Sequence, residues 1–445
     1  MWKRFDERAR KIDAATAEDR NRVADFLRVG SISMVVLGHW LVGFITVEDG
    51  RWVGARLLAV VPQTQWLTWI FQVMPVFFFV GGLANAISWS SARKKGESYA
   101  DWVRRRGRRL LWPLVPLFVV WIAVVALLGA AGMPGYLVEV ISHTAILPLW
   151  FLAAYMCIVA VSPVTFWLHQ KLGRAALGIF LVLAVISDLL VAAGHEWVGW
   201  ANFLWVWGAI HQAGYFWHDN RLPLSSRRGA ALAVCGFGLL VLVTQLGIYP
   251  LSMVATGEPV RSADSPPSVA LMMLAAGQIG LISLVYDRAQ RWLHRPRMWA
   301  MVMMAGSRMM TIYLWHMSAL VLVGSLVYLT GFWQVPTQVD AHWWVMRIPW
   351  FFLLAIILTV LVMIFGRFEQ PPPPTLTSWK GWPGAMKAIV SVGLFTIGLA
   401  FLIRHGLYIG RGPLGANWVA LTVMSVGLVG LGVVGRSRGR QQNEA

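Results

Sequence analysis

Negative charge is scarce in this chain: 20 Asp and Glu stand against 38 Lys and Arg, and charged residues of all kinds reach only 13% of 445. Soluble globular domains carry roughly 25%, so a soluble globular enzyme is excluded. Cysteine is nearly absent. Cys157 and Cys235 are the only two, both inside apolar segments, and neither a metal-ligand spacing nor a disulfide framework can be read from them; core packing is their expected role, and no metal is expected. Few acidic residues fall within apolar stretches, which argues against the carboxylate relay of a proton-coupled carrier. No apolar stretch precedes Val23 either. Residues 1–22 therefore do not resemble a cleavable signal peptide and read as a cytoplasmic tail.

What is plentiful is apolar sequence, 58% of the chain, with a mean hydropathy of +0.61. It falls into blocks of about 20 residues, the length a helix needs to cross a hydrocarbon core roughly 30 Å thick. Ten spans are expected near 24–46, 66–90, 110–131, 149–168, 175–194, 197–217, 229–249, 268–286, 308–329 and 343–366. Two more, near 386–403 and 417–435, follow the Pro371 to Pro374 run, which cannot continue a helix. A net charge of +18 suggests nucleic acid at first sight, but nucleic-acid binders gather basic residues on a solvated face or arm, whereas here they lie between apolar blocks. Alternate connections carry 30 and 6 of the 38 Lys and Arg, with Arg28 and Arg308 at span ends. Cytoplasmic loops are enriched in these residues, so an even number of spans with both termini inside is predicted. The expected fold is an all-α polytopic membrane protein of about twelve transmembrane helices. Its parts are the tail 1–22, a ten-helix core 23–370, a proline-rich linker 371–383, two further helices 384–435 and a basic tail 436–445. The longest outer connection, Pro250 to Ser268, is rich in Ser, Pro and Gly and reads as a connector.

Chemistry must then reside in the helix bundle, where an ionisable side chain is a functional candidate by default. The first span holds Asp25, Arg28 and His39. Eleven helical residues amount to about 20° beyond three turns, so Arg28 and His39 share one face roughly 16 Å apart, with Arg28 near the cytoplasmic surface and His39 deep in the membrane. A neutral imidazole suits general-base work near physiological pH; hydrogen bonding to a neighbouring helix is the equally weighted structural account. At the start of the third span, Arg104-Arg105-Arg106-Gly107-Arg108-Arg109 offers two i, i+3 pairs, Arg106 with Arg109 and Arg105 with Arg108, each a fork for phosphate groups. For Arg104 and Arg108, lipid headgroup contact is the expected role. Asn202, His211 and Gln212 in the sixth span and His316 in the ninth could line the same cavity, with helix-to-helix hydrogen bonding the heavier reading for the two histidines. His143, Asp188, His195 and Glu196 fall in or near outer connections and read as solvated surface.

These residues resemble the membrane-bound acyltransferase-3 family of bacterial O-acyltransferases. The resemblance rests on Arg28-x10-His39 with Asp25-Phe-Leu before it, Pro75-Val-Phe-Phe-Phe-Val-Gly-Gly82, the Arg-rich turn ending at Pro113, Leu149-Trp-Phe-Leu152, and Ile312-Tyr-Leu-Trp-His316-Met, in that order along the first ten spans. It implies a ten-helix acyltransferase core in which His39 is the catalytic base, Arg28 is essential, and the R-x-x-R motif, Arg106 and Arg109 or one register earlier Arg105 and Arg108, engages cytoplasmic acyl-CoA. Acetyl-CoA is the donor expected from the family's habits. The acceptor would be a hydroxyl on a sugar, glycolipid or small metabolite, and the location the bacterial inner membrane. Gly81-Gly82 replaces the Ser-Gly of many members, and two extra spans follow the core. A transporter or flippase is the rival reading, disfavoured by the lack of an evident internal repeat.

Overall fold

The computed structural model describes residues 2–48, 51–220, 226–257, 261–331, 338–373, 378–411 and 413–434; the basic tail 436–445 lies outside them. Lipid offers backbone amides no partner, so a spanning segment must satisfy its own, and helices dominate. In chain order they are α1 (Trp2–Ala14), α2 (Arg22–Val42), α3 (Met74–Lys94), α4 (Tyr99–Leu111), α5 (Leu114–Ala130), α6 (Gly135–Ile146), α7 (Trp150–Leu172), α8 (Arg174–Ala192) and α9 (Asn202–His218). Then come α10 (Ser226–Gln245), α11 (Val269–Leu293), α12 (Pro296–Gly306), α13 (Met309–Thr330), α14 (Ala341–Phe365), α15 (Gly381–His405) and α16 (Trp418–Gly430). The chain is a multi-pass, all-α membrane protein.

Among the described residues nine helical stretches are long and apolar enough to cross a membrane, and α4 with α5, bent by 46°, makes a tenth if the pair is one span. The break falls at Trp112 and Pro113, where proline removes a donor. Twelve spans were expected. All twelve expected segments hold a helix, but α9 with 17 residues and α16 with 13 reach only about 26 and 20 Å, short of a full crossing.

The first span also ends early. It stops at Val42, and Gly43–Glu48 (β1) pairs antiparallel with Arg51–Arg56 (β2) in a hairpin, Gly43 opposite Arg56. Apolar Phe44 and Ile45 extend the hydropathy signal past the helix, which is why the span was expected to run on. The N-terminal tail, expected as a plain polar segment, is helical: Ala9 of α1 is buried while Arg4, Arg8, Arg10 and Lys11 are exposed. α1 is fixed to α12 by Arg297 on Asp6 (2.7 Å) and, just beyond its end, by Trp299 Nε1 donating to Thr16 Oγ1 (2.7 Å).

Contacts divide the chain into two compact units. The first comprises Met1–Ile87, Val164–Tyr313 and Val323–Ile356. Within it α3 and α9 cross in backbone contact. A Cβ on Gly82 would stand 2.0 Å from the His211 carbonyl oxygen, and one on Gly214 2.1 Å from that of Phe79, so both positions demand glycine. The connection between α10 and α11 is no loose connector. Trp69 Nε1 donates to Leu251 O (2.9 Å), Gln72 Nε2 to Met253 O (3.1 Å) and Arg56 to Ala255 O (2.9 Å), and Ser252, Met253, Ala263 and Ser268 are buried. Its anchor is Asp188, expected on the surface and instead buried in α8. That carboxylate accepts from Asn202 Nδ2 (3.0 Å), Tyr249 Oη (2.6 Å), Arg261 Nη2 (2.8 Å) and Val269 N (2.9 Å). Burial, reinforced by Asp188, pushes the Tyr249 phenol well above its usual range and keeps it a donor. His195 and Glu196 are exposed as expected.

The second unit comprises Ser88–Pro163, Leu314–Leu322 and Ile357–Ala445. Here α15 and α16 form a close helical hairpin. A Cβ on Gly398 would meet Met424 N at 2.4 Å and one on Gly427 Phe395 N at 2.3 Å. Cys157 Sγ lies 3.4 Å from Thr396 Oγ1 on α15, a packing contact between two helices.

Candidate functional site

The start of α2 is set locally. Asn21 caps it by accepting from Ala24 N (3.0 Å), and Asp25 in the first turn suits the positive end of the helix dipole. Asp25 accepts from Arg20 at 2.8 Å and from Arg28 at 3.2 Å. It therefore orients Arg28, whose side chain keeps 38% of its surface open. From Arg28 one stripe climbs the helix through Ile32 and Val36, each 5% exposed, to half-buried His39, while Leu37 on the opposite side is 42% exposed. The stripe that angle arithmetic predicts thus faces protein.

His39 does not lie midway along the span. It sits in the last turn of α2, and Gly43 N–H closes that turn by donating to His39 O. Because Gly43 pairs with Arg56 across the hairpin, the backbone of Arg56 is held beside the base-bearing turn. Sequence reasoning missed Arg56; only the hairpin register brings it there. Around the same end Trp40 packs against Phe351 (6.2 Å), Phe44 against Trp343 (5.6 Å), and buried Arg347 lies 3.8 Å over the Trp343 ring. Two apolar grooves flank α2 on its other faces. One, about 350 Å³, is lined by Phe26, Leu27, Gly30 and Ser31 with Trp69 and Gln278, and one, about 500 Å³, by Leu37, Trp40, Ile348 and Phe352. Neither is lined by Arg28 or His39.

The other expected cavity residues separate. His211 is buried, and its Nε2 lies 3.0 Å from Asn85 Nδ2 on α3, the helix-to-helix bond that was its heavier reading. Gln212 beside it is fully buried, with neither amide atom bonded among the described residues. Asn202 belongs to the Asp188 cluster. His316, in the second unit, is buried on α13 next to Trp315, which stacks on Phe365 at 3.7 Å. Asn85, a lone amide in an apolar span, was the signal that could have been read and was not. Among the described residues no three His, Cys, Asp or Glu side chains gather as metal ligands.

The arginines of α4 sort by face. Ser98 caps the helix, accepting from Asp101 N. Arg104 and Arg108, expected at lipid headgroups, are instead buried, 4% and 7% exposed. Arg104 pairs with Asp101 and lies 4.0 Å over the Trp379 ring, and Arg108 donates to Pro372 O at 2.7 Å. Arg105 is held bidentately by Glu97 at 2.9 and 2.7 Å. Arg106 is half-buried, and Arg109 is exposed with no ion pair among the described residues. Of the two i, i+3 pairs, Arg105 and Arg108 are already engaged.

A family model described as an acyltransferase domain matches residues 21–367, more than three quarters of the chain. The protein therefore belongs to the acyltransferase-3 family. No curated protein and no solved structure matches it.

Proposed function

We propose that this family member is a membrane-embedded O-acyltransferase that moves an acyl group, acetyl by the family's habit, from cytoplasmic acyl-CoA to a hydroxyl of a sugar, glycolipid or small metabolite. The observation that carries the reading is the protein-facing stripe with Arg28 at one end and His39 in the last turn at the other. Arg106 and Arg109, an i, i+3 pair on α4, take the CoA phosphates, since planar guanidinium groups match phosphate geometry. Arg28, aimed by Asp25, keeps its positive charge open on the stripe that leads to His39.

His39 removes the proton from the acceptor hydroxyl as its oxygen attacks the thioester carbonyl. The tetrahedral oxyanion collapses with cleavage of the C–S bond, and the departing thiolate takes the proton back from the imidazolium, leaving O-acyl product and CoA. Both termini lie in the cytoplasm of a bacterial inner-membrane protein in this arrangement, supported by the Lys and Arg asymmetry.

The test is CoA release from labelled acetyl-CoA by membranes carrying wild type or His39→Ala at matched abundance, with a cell-envelope extract as acceptor source. Release and label transfer that vanish in the variant support the proposal. Equal release from both across several acyl donors sinks the role of His39 and turns attention to transport.

A further inference from the structure

Past Val42 the end of α2 is roofed. Phe44 of β1, Leu57 just after β2 and Trp343 in the first turn of α14 form one buried apolar cluster, with Leu41 of α2 and Val61 packed against it. Arg56, at the end of β2, donates to Ala255 O at 2.9 Å, so the roof is tied to the connection between α10 and α11. A hydrated sugar arriving from water at that end would have to part a packed apolar cluster and shed its hydrogen-bonded water to reach the last turn of α2. That roof disfavours a water-borne acceptor.

The flank of the same turn is open, and it opens to hydrocarbon. The groove of about 500 Å³ between α2 and α14 has both walls within the first unit. It is lined by buried Trp40 and half-buried Phe351 and, where it opens, by Leu37, Ile348 and Phe352, the last two 73% and 70% exposed on a helix long and apolar enough to span a membrane. No charged side chain lines it. Along α14 it extends from Ile348 to Ala355, two turns or about 10 Å. A groove of this kind suits a hydrocarbon chain and penalises a sugar. Trp40 follows His39 in the last turn of α2, so a chain that lies against the indole brings the group at its end to the level of the imidazole. Bulk lipid chains meet the same groove, but only a lipid that carries a hydroxyl gives His39 a proton to take.

We propose that the acceptor is lipid-borne: its hydrocarbon chain lies in the groove between α2 and α14 and delivers a hydroxyl sideways from the bilayer to His39. The acyl carbon then bonds to that oxygen, the C–S bond breaks, and the hydroxyl proton passes through His39 to the CoA thiolate. The inference rests on the reading of His39 as the base of acyl transfer and narrows the acceptor to an amphiphile with a hydroxylated head, the glycolipid class.

The experiment uses the purified full-length protein in vesicles of phosphatidylcholine, a lipid without a hydroxyl, with labelled acetyl-CoA. A cell-envelope extract is split into a lipid fraction, incorporated in the vesicles, and a water-soluble fraction. After residual acetyl-CoA is removed, flotation separates vesicle-borne from soluble label. Label that depends on His39 is expected to float with the vesicles. Ala355→Phe and Ile348→Trp each narrow the groove from α14 at an exposed position; each is expected to raise the amount of lipid fraction needed for half-maximal rate by at least about fivefold, with the saturated rate within about twofold of wild type. Melting temperatures identify the variants that fold, and either one alone suffices. Floating label with a half-saturating amount unchanged in a folded variant means that bulk lipid fills the groove, and overturns the proposal. Label that depends on His39 but stays in the soluble fraction overturns it too, while leaving the base in place. Absence of any His39-dependent label from both fractions removes the transferase reading and the inference with it.

Discussion

Two charged regions of the first unit solve opposite problems. At Asp188 a buried carboxylate is closed by four donors drawn from α9, from the connection between α10 and α11, and from the start of α11 itself. On α2 the charge is left accessible: Arg28 is steered by Asp25 yet more than a third open, and His39 is half-buried at a helix end. A buried ion with its acceptors filled is committed to holding segments together, because any new ligand would have to displace a bonded donor. A partly open stripe facing protein can still take a substrate. The difference separates architecture from chemistry better than residue type does, since both regions are built from Asp, Arg and a polar neighbour.

The largest effect that sharpens this comparison is at His39. Replacing it with Ala is expected to lower the turnover rate by about 10² to 10⁴, the range for loss of a general base, with the melting temperature of the purified protein unchanged. A large drop in melting temperature instead would move His39 to the architectural side. Asp188→Asn is its mirror image. The amide presents hydrogens to groups that are all donors, so stability is expected to fall by about 2–4 kcal/mol, measured by denaturant unfolding, while turnover per folded molecule is retained. Lost turnover at full stability would break the distinction.

Between these extremes lies the α3 and α9 crossing, where Asn85 meets His211 over Gly82. Gly82→Ala forces the helices apart against the His211 carbonyl and is expected to lower stability by about 1–3 kcal/mol. If turnover falls far more than stability does, the Asn85 and His211 pair belongs with the stripe on α2.

How much of this was legible follows from sequence separation. Arg28 and His39 lie on one helix, so angle arithmetic alone aligns them, and the apolar blocks give the helices because lipid forces backbone amides to bond internally. The end of α2 was hidden because Phe44 and Ile45 are as apolar as the helix before them. Arg104 was assigned to lipid because its partner Trp379 is some 275 residues away, and Asp188 to the surface because Arg261 is 73 residues on. Arg56 needed the hairpin register. A local pattern reports what a helix must bury; it cannot report which distant segment does the covering.

The smallest expected effect concerns Asp219, just after α9, which bridges two imidazoles. Burial alone would raise this carboxyl, but bonds from His218 Nδ1 and His169 Nε2, each 2.9 Å, outweigh it and hold Asp219 below its ordinary value. A depressed folded value means that its stabilisation is present above the unfolded value of about 3.9 and is lost as pH falls through the folded one. Asp219→Asn is therefore expected to melt slightly below wild type near pH 7, and the two curves to converge only once the pH falls below the depressed folded value, itself under about 3.9. The margin is worth about 0.5–1 kcal/mol, because the carboxylate stays a quarter exposed and water competes for it. Convergence on the acid side places Asp219 with Asp188, as a carboxylate already committed to its neighbours; a margin that does not narrow at all on acidification would mean that packing, not charge, is what the aspartate contributes.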